Sequence, residues 1–405
     1  MKRIGIIGTS MRAGAFARAL ASDFTATHGI VGLLDPDEGK ARGFCAFNKV
    51  DAPLFHDFES FLEGCRPDLV LVATVDVFHA GYIVKLLDRK VGVISEKPLC
   101  INAEQARTIL AAHRRNPEVF AVTSHNVRYS PVTRQIKRLL DEGAIGKVMR
   151  LSYAESLDRM HGTSYFRRWN SRRKNSNGLE LHKSCHHFDL LNYLLKTQAA
   201  YVSAEGMLVA YGQKAPHKFE GTRCHECPHK DECPGYSDYN HTLFAGSYTP
   251  DMCIWSPEID IEDNYSASIV FRNGVLATYS LCAHANYSGE HIVFEGETGR
   301  LEFRSRTFRE NMDPRDVHDT MVTPVESLRL YRFGKTGAEE FPVRHENTSH
   351  GGADAALFHD LFAPEPPPTL PTLEDGIQAV LTGCAVVESI RTGRRIDVQG
   401  QLKEV

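Results

Sequence analysis

The chain has 405 residues, 42% of them hydrophobic and 24% charged, with a formal net charge of -4. That length holds two domains of ordinary size, and so near-average an apolar share excludes a mostly disordered chain. The mild acidity lacks the broad cationic surface that general nucleic-acid binding needs, and no stretch reaches the length of a membrane span, so neither a nucleic acid nor a membrane is an expected partner.

The opening MKRIGIIGTS enters a strand at once, without an apolar leader, so the cytoplasm is the expected compartment. Strands are expected over residues 3–8, 30–35, 69–74, 92–95 and 120–124, with helices over 13–22, 57–64, 79–89 and 103–114 between them. Apolar strands alternating with helices predict a doubly wound parallel sheet, a Rossmann domain over residues 1–124. A helix over 131–142 and a strand over 148–156 open a second domain, 125–405. There an Arg-rich loop and a His-rich helix precede further strands at 265–271, 275–282, 291–295 and 300–303. Alternating apolar and polar positions in those strands suit an open, mostly antiparallel sheet, so the second domain is α+β and the whole chain α/β. A proline-rich connector then leads to a closing helix over 373–392.

The turn Gly8-Thr9-Ser10-Met11-Arg12-Ala13-Gly14 lies between a strand and a helix, where exposed backbone N–H groups and the helix dipole can hold a dinucleotide pyrophosphate. Ser10 and Ala13 stand where the strict G-x-G-x-x-G pattern has glycine, and a tight turn without a ligand is the alternative. Asp35, at the end of the second strand, can accept both ribose hydroxyls and would repel a 2′-phosphate, which points to NAD; an ordinary strand-ending turn residue before Pro36 is the alternative. Lys97, in Ser95-Glu96-Lys97-Pro98, follows a buried strand and should project from the carboxyl end of the sheet, with Glu96 fixing position or charge beside it. The alternative is a surface lysine before a proline.

Together with Ala73-Thr74 and His79, Asn126-x-Arg128-Tyr129-x-Pro131 and His186-x-x-Asp189, these motifs resemble the glucose-fructose oxidoreductase, inositol dehydrogenase and rhizopine-catabolism family, Gfo/Idh/MocA. The resemblance spans nearly the whole chain. It implies a Rossmann domain followed by an α/β domain whose open sheet supports a homo-oligomer, a dimer or tetramer. It also implies a carbohydrate or polyol substrate, with Lys97 hydrogen-bonding the substrate hydroxyl. Thr74, His79, Glu96, Lys97 and Asn126 then join the glycine turn and Asp35 as cofactor-binding positions, and Arg128 falls on the substrate side.

In Gly178-Leu179-Glu180-Leu181-His182-Lys183-Ser184-Cys185-His186-His187-Phe188-Asp189, His182 and His186 are four residues apart, as are Lys183 and His187, so each pair shares a helix face. Removing a hydride from a secondary alcohol leaves a proton for a base of near-neutral pKa, and His186 is the expected general base. The family often has aspartate at the position of His182, so His182 is a second candidate for catalysis or substrate binding, with Lys183 beside it. Tyr165, Arg168 and Trp169 supply rings and a donor suited to gripping a sugar. Arg167, Arg168, Arg172, Arg173 and Lys174 are read as a solvated loop or an anion contact. The extra basic groups also fit a second activity, an NAD-dependent glycosidase working by transient ring-carbon oxidation and elimination.

Residues 212–257 lack a strand or helix pattern and carry Cys224, Cys227, Cys233 and Cys253. A loop that long needs a staple, and these thiols are a candidate structural zinc site, with His225, His229 or His241 as substitutes for Cys253. An iron–sulfur cluster and ligand-free thiols are the alternatives.

Overall fold

The computed structural model describes residues 1–215, 223–237, 250–309, 324–344 and 349–403. The described residues group into two compact units, one of residues 1–130 and 349–381, the other of 131–237, 250–309, 324–344 and 382–403.

The first unit is a six-stranded sheet built from β1 (Lys2–Ile7), β2 (His28–Leu34), β3 (Leu54–Phe55), β4 (Leu69–Val72), β5 (Gly92–Ser95) and β6 (Ala121–Thr123). Its order is β3-β2-β1-β4-β5-β6, and every pairing is parallel. The order reverses beside β1, the place where doubly wound sheets open a crevice at their carboxyl edge. The connecting helices are α1 (Met11–Ser22), α2 (Glu38–Asn48), α3 (Phe58–Cys65), α4 (Asp76–Asp88) and α5 (Ala103–Arg115). Side-chain oxygens of Ser10, Asp37, Asp57 and Asn102 cap the N-termini of α1, α2, α3 and α5.

The core over β1 contains Ile4, Ile6, Phe16, Leu20, Leu33 and Leu71. Leu357, Phe358, Leu361 and Phe362, from distant chain, complete it. The Phe16 and Phe358 rings meet at 4.5 Å between centroids. Burying each such side chain contributes about 1.5–3 kcal/mol.

The second unit opens with α6 (Pro131–Asp141) and β7 (Val148–Asp158), followed by α7 (Arg159–Phe166), two single turns α8 (Arg173–Ser176) and α9 (Leu179–His182), and α10 (Cys185–Leu195). Its sheet adds β8 (Ala199–Met207), β9 (Asn264–Phe271), β10 (Leu276–Ala285), β11 (Gly289–Gly296), β12 (Gly299–Arg306), β13 (Val325–Arg332), β14 (Ala338–Phe341) and β15 (Ile396–Asp397). The nine strands run β14-β13-β12-β11-β7-β10-β9-β8-β15, antiparallel except for the β7–β10 pair. Strand alternation puts Leu151, Tyr153, Tyr265, Tyr279 and Leu281 on the buried face, where Phe188 of α10 packs on Tyr279 at 5.2 Å. Gly162 lets α7 reach β10, since a Cβ there would stand 1.7 Å from the Ala283 carbonyl oxygen.

The remaining helices are α11 (Ala353–Leu361) and α12 (Leu373–Thr392). Among the described residues no helix is long and apolar enough to cross a membrane.

The architecture matches the expected parallel sheet followed by a mostly antiparallel one, but the expected His-rich helix is interrupted. Its first turn stops at His182, and α10 begins at Cys185. The expected polar Arg-rich loop also contains the helix α7.

Candidate active site

At the carboxyl edge of the first sheet, Gly8 ends β1 with φ +90°, and a Cβ there would meet the Ala73 oxygen and the Thr74 backbone at 2.7 Å. Only glycine fits both the left-handed backbone and that contact. The next residues turn into α1, whose first N–H groups have no intrahelical partner and whose first turn carries no acidic side chain. Ser10 accepts from the Ala13 N–H at 3.1 Å. The close backbone and open helix end suit the pyrophosphate of a dinucleotide. Asp35 is tied to this turn, its Oδ2 accepting from the Thr9 N–H at 3.0 Å and the Thr9 hydroxyl at 2.6 Å. Gly8→Ala is therefore expected to cost about 1–3 kcal/mol of stability and to weaken NADH binding. A thermal melt and a fluorescence titration both unchanged from the parent would refute that account.

The Arg12 side chain is held by two carboxylates. Its guanidinium donates to Glu96 Oε1 at 3.2 Å and Asp354 Oδ2 at 2.9 Å. Glu96 also accepts from the Ser124 hydroxyl at 2.7 Å. Burial alone would raise the Glu96 carboxyl, but Arg12 and Lys97 bring it below the usual range. Asp354 further accepts from Asn126 Nδ2 at 2.7 Å and pairs with His350 Nδ1 at 2.8 Å. Burial would raise this carboxyl too, yet the His350 hydrogen bond and the Arg12 charge hold it well below its ordinary value.

Lys97 follows β5 and is half-buried. Its loop is anchored on both sides, by Glu96 N–H on the Val72 carbonyl at 2.8 Å and by the His79 ring, whose Nδ1 lies 2.8 Å from the Pro98 oxygen and Nε2 3.1 Å from the Thr74 oxygen. His79 thus ties these two loops together. Arg128, 7% exposed, pairs with Asp375 at 3.3 Å.

In the second unit, Tyr165, Trp169 and His182 form one aromatic group. The His182 ring meets Tyr165 at 5.9 Å and Trp169 at 5.4 Å, both edge-on. His161 stacks on Tyr165 at 5.7 Å, and burial, with the Lys183 charge adding to it, pulls its pKa down to about 3. Lys183 pairs with Glu155 of β7 at 3.1 Å, an attraction that raises the lysine pKa despite burial. His187 Nδ1 lies 2.8 Å from the Tyr279 hydroxyl, which in turn meets the Ser184 hydroxyl at 2.8 Å. His186, half-buried, sits in the first turn of α10 beside this network. Lys183, in the break between α9 and α10, and His187 of α10 both approach Glu155, at 3.1 and 3.9 Å, although no continuous helix joins them.

Glu155, His187 and Glu290 bring ligand atoms within 4.8 Å of one another. Lys183 already supplies the cation there, so an ion pair accounts for the group. Burial, then the nearby Glu155 charge, pushes Glu290 up to about 7. A carboxyl with a raised folded pKa binds more protons folded than unfolded between about pH 4 and 7. Its contribution to stability therefore declines as pH rises through that window. Replacing it in Glu290→Gln should flatten this part of the stability–pH curve, measured by urea unfolding at fixed pH values; an unaltered slope would count against it.

The Arg-rich run is mostly bound within its own unit. Arg167 is 1% exposed, Arg172 pairs with Glu258, and Arg173 pairs with Glu262 at 2.5 Å. Neither a wholly solvated loop nor an open anion patch describes these three. Sequence reasoning missed Asp354, Glu155 and Glu290, which carry no motif and meet their partners only through the fold.

Residues 2–124 match the model of the oxidoreductase family's NAD-binding Rossmann fold, and residues 137–398 match that of its C-terminal alpha/beta domain. YteT of Bacillus subtilis, named as an oxidoreductase, is 34% identical over 397 residues, covering 91% of this chain and 90% of that protein. Inositol 2-dehydrogenase 2 of Saccharopolyspora erythraea is 26% identical over 148 residues, 36% of this chain and 43% of that protein. A structure of levoglucosan dehydrogenase with NADH and L-sorbose shares the fold at TM-score 0.72 and 16% identity, covering 98% of each chain. The chain belongs to the Gfo/Idh/MocA family of NAD-binding oxidoreductases.

Proposed function

We propose that this protein is an NAD(H)-dependent oxidoreductase that moves a hydride at a secondary hydroxyl of a sugar, inositol or sugar-derived substrate. The observation that carries the reading is the carboxyl edge of the first sheet, where Gly8, Asp35 and Lys97 stand at the ends of β1, β2 and β5. Bound nicotinamide supplies the hydride acceptor or donor. Asp35 takes the ribose hydroxyls, and Arg12, engaged by Glu96 and Asp354, is not poised for a 2′-phosphate, which favours NAD over NADP. In the oxidative direction Lys97 hydrogen-bonds the substrate hydroxyl and His186 takes its proton. Tyr165, Trp169 and His182 offer ring faces and a polar edge suited to a sugar.

The glycosidase alternative rests on His182, Lys183 and His187 as additional proton-transfer groups. Lys183 and His187 engage Glu155 and Tyr279, which favours a structural role for two of the three, so the simple dehydrogenase reading is preferred.

Native mass spectrometry for bound nucleotide, then NADH and NADPH titrations and a sugar and polyol panel read by reduced-nicotinamide absorbance, tests the proposal. NADH should bind more tightly than NADPH, and a polyhydroxylated substrate should turn over. Absence of nicotinamide binding would overturn the reading, and a preference for NADPH would overturn the cofactor assignment.

A further inference from the structure

We infer that Cys224, Cys227, Cys233 and Cys253 form a tetrathiolate site for one zinc ion, a structural clip within the second unit. The four cysteines come from separated chain positions and line one cavity of about 10 Å³, a volume of the order of one water-sized sphere.

The backbone brings them there in three steps. Arg223 and Met252 form an isolated antiparallel bridge, and Cys224 N–H donates to the Asp251 carbonyl at 2.8 Å, which sets Cys224 beside the segment leading to Cys253. A tight turn, Cys227 N–H on the Cys224 carbonyl at 3.1 Å, holds the Cys-x-x-Cys pair together. A second turn, Cys233 N–H on the His229 carbonyl at 2.9 Å, returns the third cysteine to the same cavity. Cys253 lines that cavity, whereas His225 is drawn to Asp251 and Glu226. His241 lies outside the described residues.

The surroundings of the sulfurs suit metal-bound thiolates. The Arg167 guanidinium is almost fully buried and donates to Cys224 Sγ at 3.1 Å, with its other nitrogen on the Gly235 carbonyl. Trp255 Nε1–H donates to Cys233 Sγ at 3.2 Å. Donors of this kind orient sulfur ligands and stabilise negative charge on them. A buried guanidinium is stabilised by negative charge beside it, which a thiolate would supply. Four thiolates around Zn²⁺ leave a net charge of -2, and Arg167 compensates half of it.

On binding, each ligating thiol releases its proton and the sulfurs close to about 2.3 Å from the ion, with no redox change and no open position for chemistry. Among the described residues no disulfide engages any of these four. Arg167 ends α7 and accepts the Met252 N–H on its carbonyl at 3.1 Å, and Trp169 follows two residues later. The clip therefore fixes the segment that carries Tyr165 and Trp169.

The full chain, purified under reducing conditions without chelator, should carry about one zinc per chain by elemental mass spectrometry, with no visible chromophore. X-ray absorption should show sulfur-only coordination. Cys233→Ser and Cys253→Ser should each lose the metal, while Cys45→Ser, outside the cavity, should keep it. Should the two site variants fail to fold, the absorption spectrum of the parent decides the ligand set. Iron with acid-labile sulfide, nitrogen or oxygen ligands in that spectrum, or a natively folded protein that takes up no zinc on reconstitution would overturn the inference.

Discussion

Lys97→Met and His186→Ala should each lower kcat/KM on the best panel substrate by about 10²–10⁴-fold, the range that a positioned proton-transfer group contributes. The two side chains stand in different units, so a common loss reports a shared chemical step more readily than shared damage to one fold. Lys97 is half-buried, and its loop is anchored by the Val72, Thr74 and Pro98 carbonyls through groups other than its own side chain. Lys97→Met also removes a charge that helps hold the Glu96 carboxyl down, so a modest fall in melting temperature is expected, with NADH binding detectable and the larger loss falling on kcat. Turnover that survives both substitutions would remove these residues from the mechanism and leave the fold assignment standing.

Asp354→Ala should be the most destabilising of the changes considered for the first unit. Its carboxylate serves Arg12, Asn126 and His350, at 2.9, 2.7 and 2.8 Å. Removing it leaves the buried Asn126 amide without that acceptor and Arg12 with Glu96 alone. Stranding a buried charge costs about 3–5 kcal/mol. Arg12 retains one partner and some solvent contact, so about 2–4 kcal/mol is expected. Calorimetry should show this as a melting transition lower by roughly 4–16 °C. A shift within about 1 °C would mean the network contributes little.

The same carboxylates give the parent a pH signature. Asp354 and Glu96 have folded pKa values below their unfolded ones, so their stabilisation is present above about pH 4 and is lost as pH falls below it. Asp354→Ala should weaken that acid sensitivity as well as lower the plateau.

The sheets were legible because their strands are short apolar runs with turn residues between them, and β5, α5 and α12 fall at or within a residue of their expected bounds. Helix α2 escaped notice because Gly39 and Gly43 interrupt its apolar spacing, although Asp37 caps it. Strand β8 alternates buried and exposed positions through Ala, Ser and Gly, which carry little hydrophobic contrast. Helix α11 hides behind His350-Gly351-Gly352, a stretch of positive φ that reads as a loop. Within the candidate site the glycine turn and Glu96-Lys97-Pro98 announce themselves, since their spacing is local. The partners of Arg12 and Lys183 do not, because Asp354 lies 342 residues beyond Arg12 and Glu155 meets Lys183 from a different element.

The return of residues 349–381 to the first unit bears on how this protein is made. Thr123 N–H bonds to the Pro371 carbonyl at 3.0 Å, Val122 bridges to Thr372, and Phe358 and Phe362 cover Phe16 and Phe24. A nascent chain emerging from the ribosome therefore cannot finish this layer until residues 349–381 have been synthesised, more than 200 residues after residue 130. In the interval Phe16 and Phe24 lack that aromatic cover, so a fragment ending near residue 130 would be a sticky intermediate in place of a portable nucleotide-binding module.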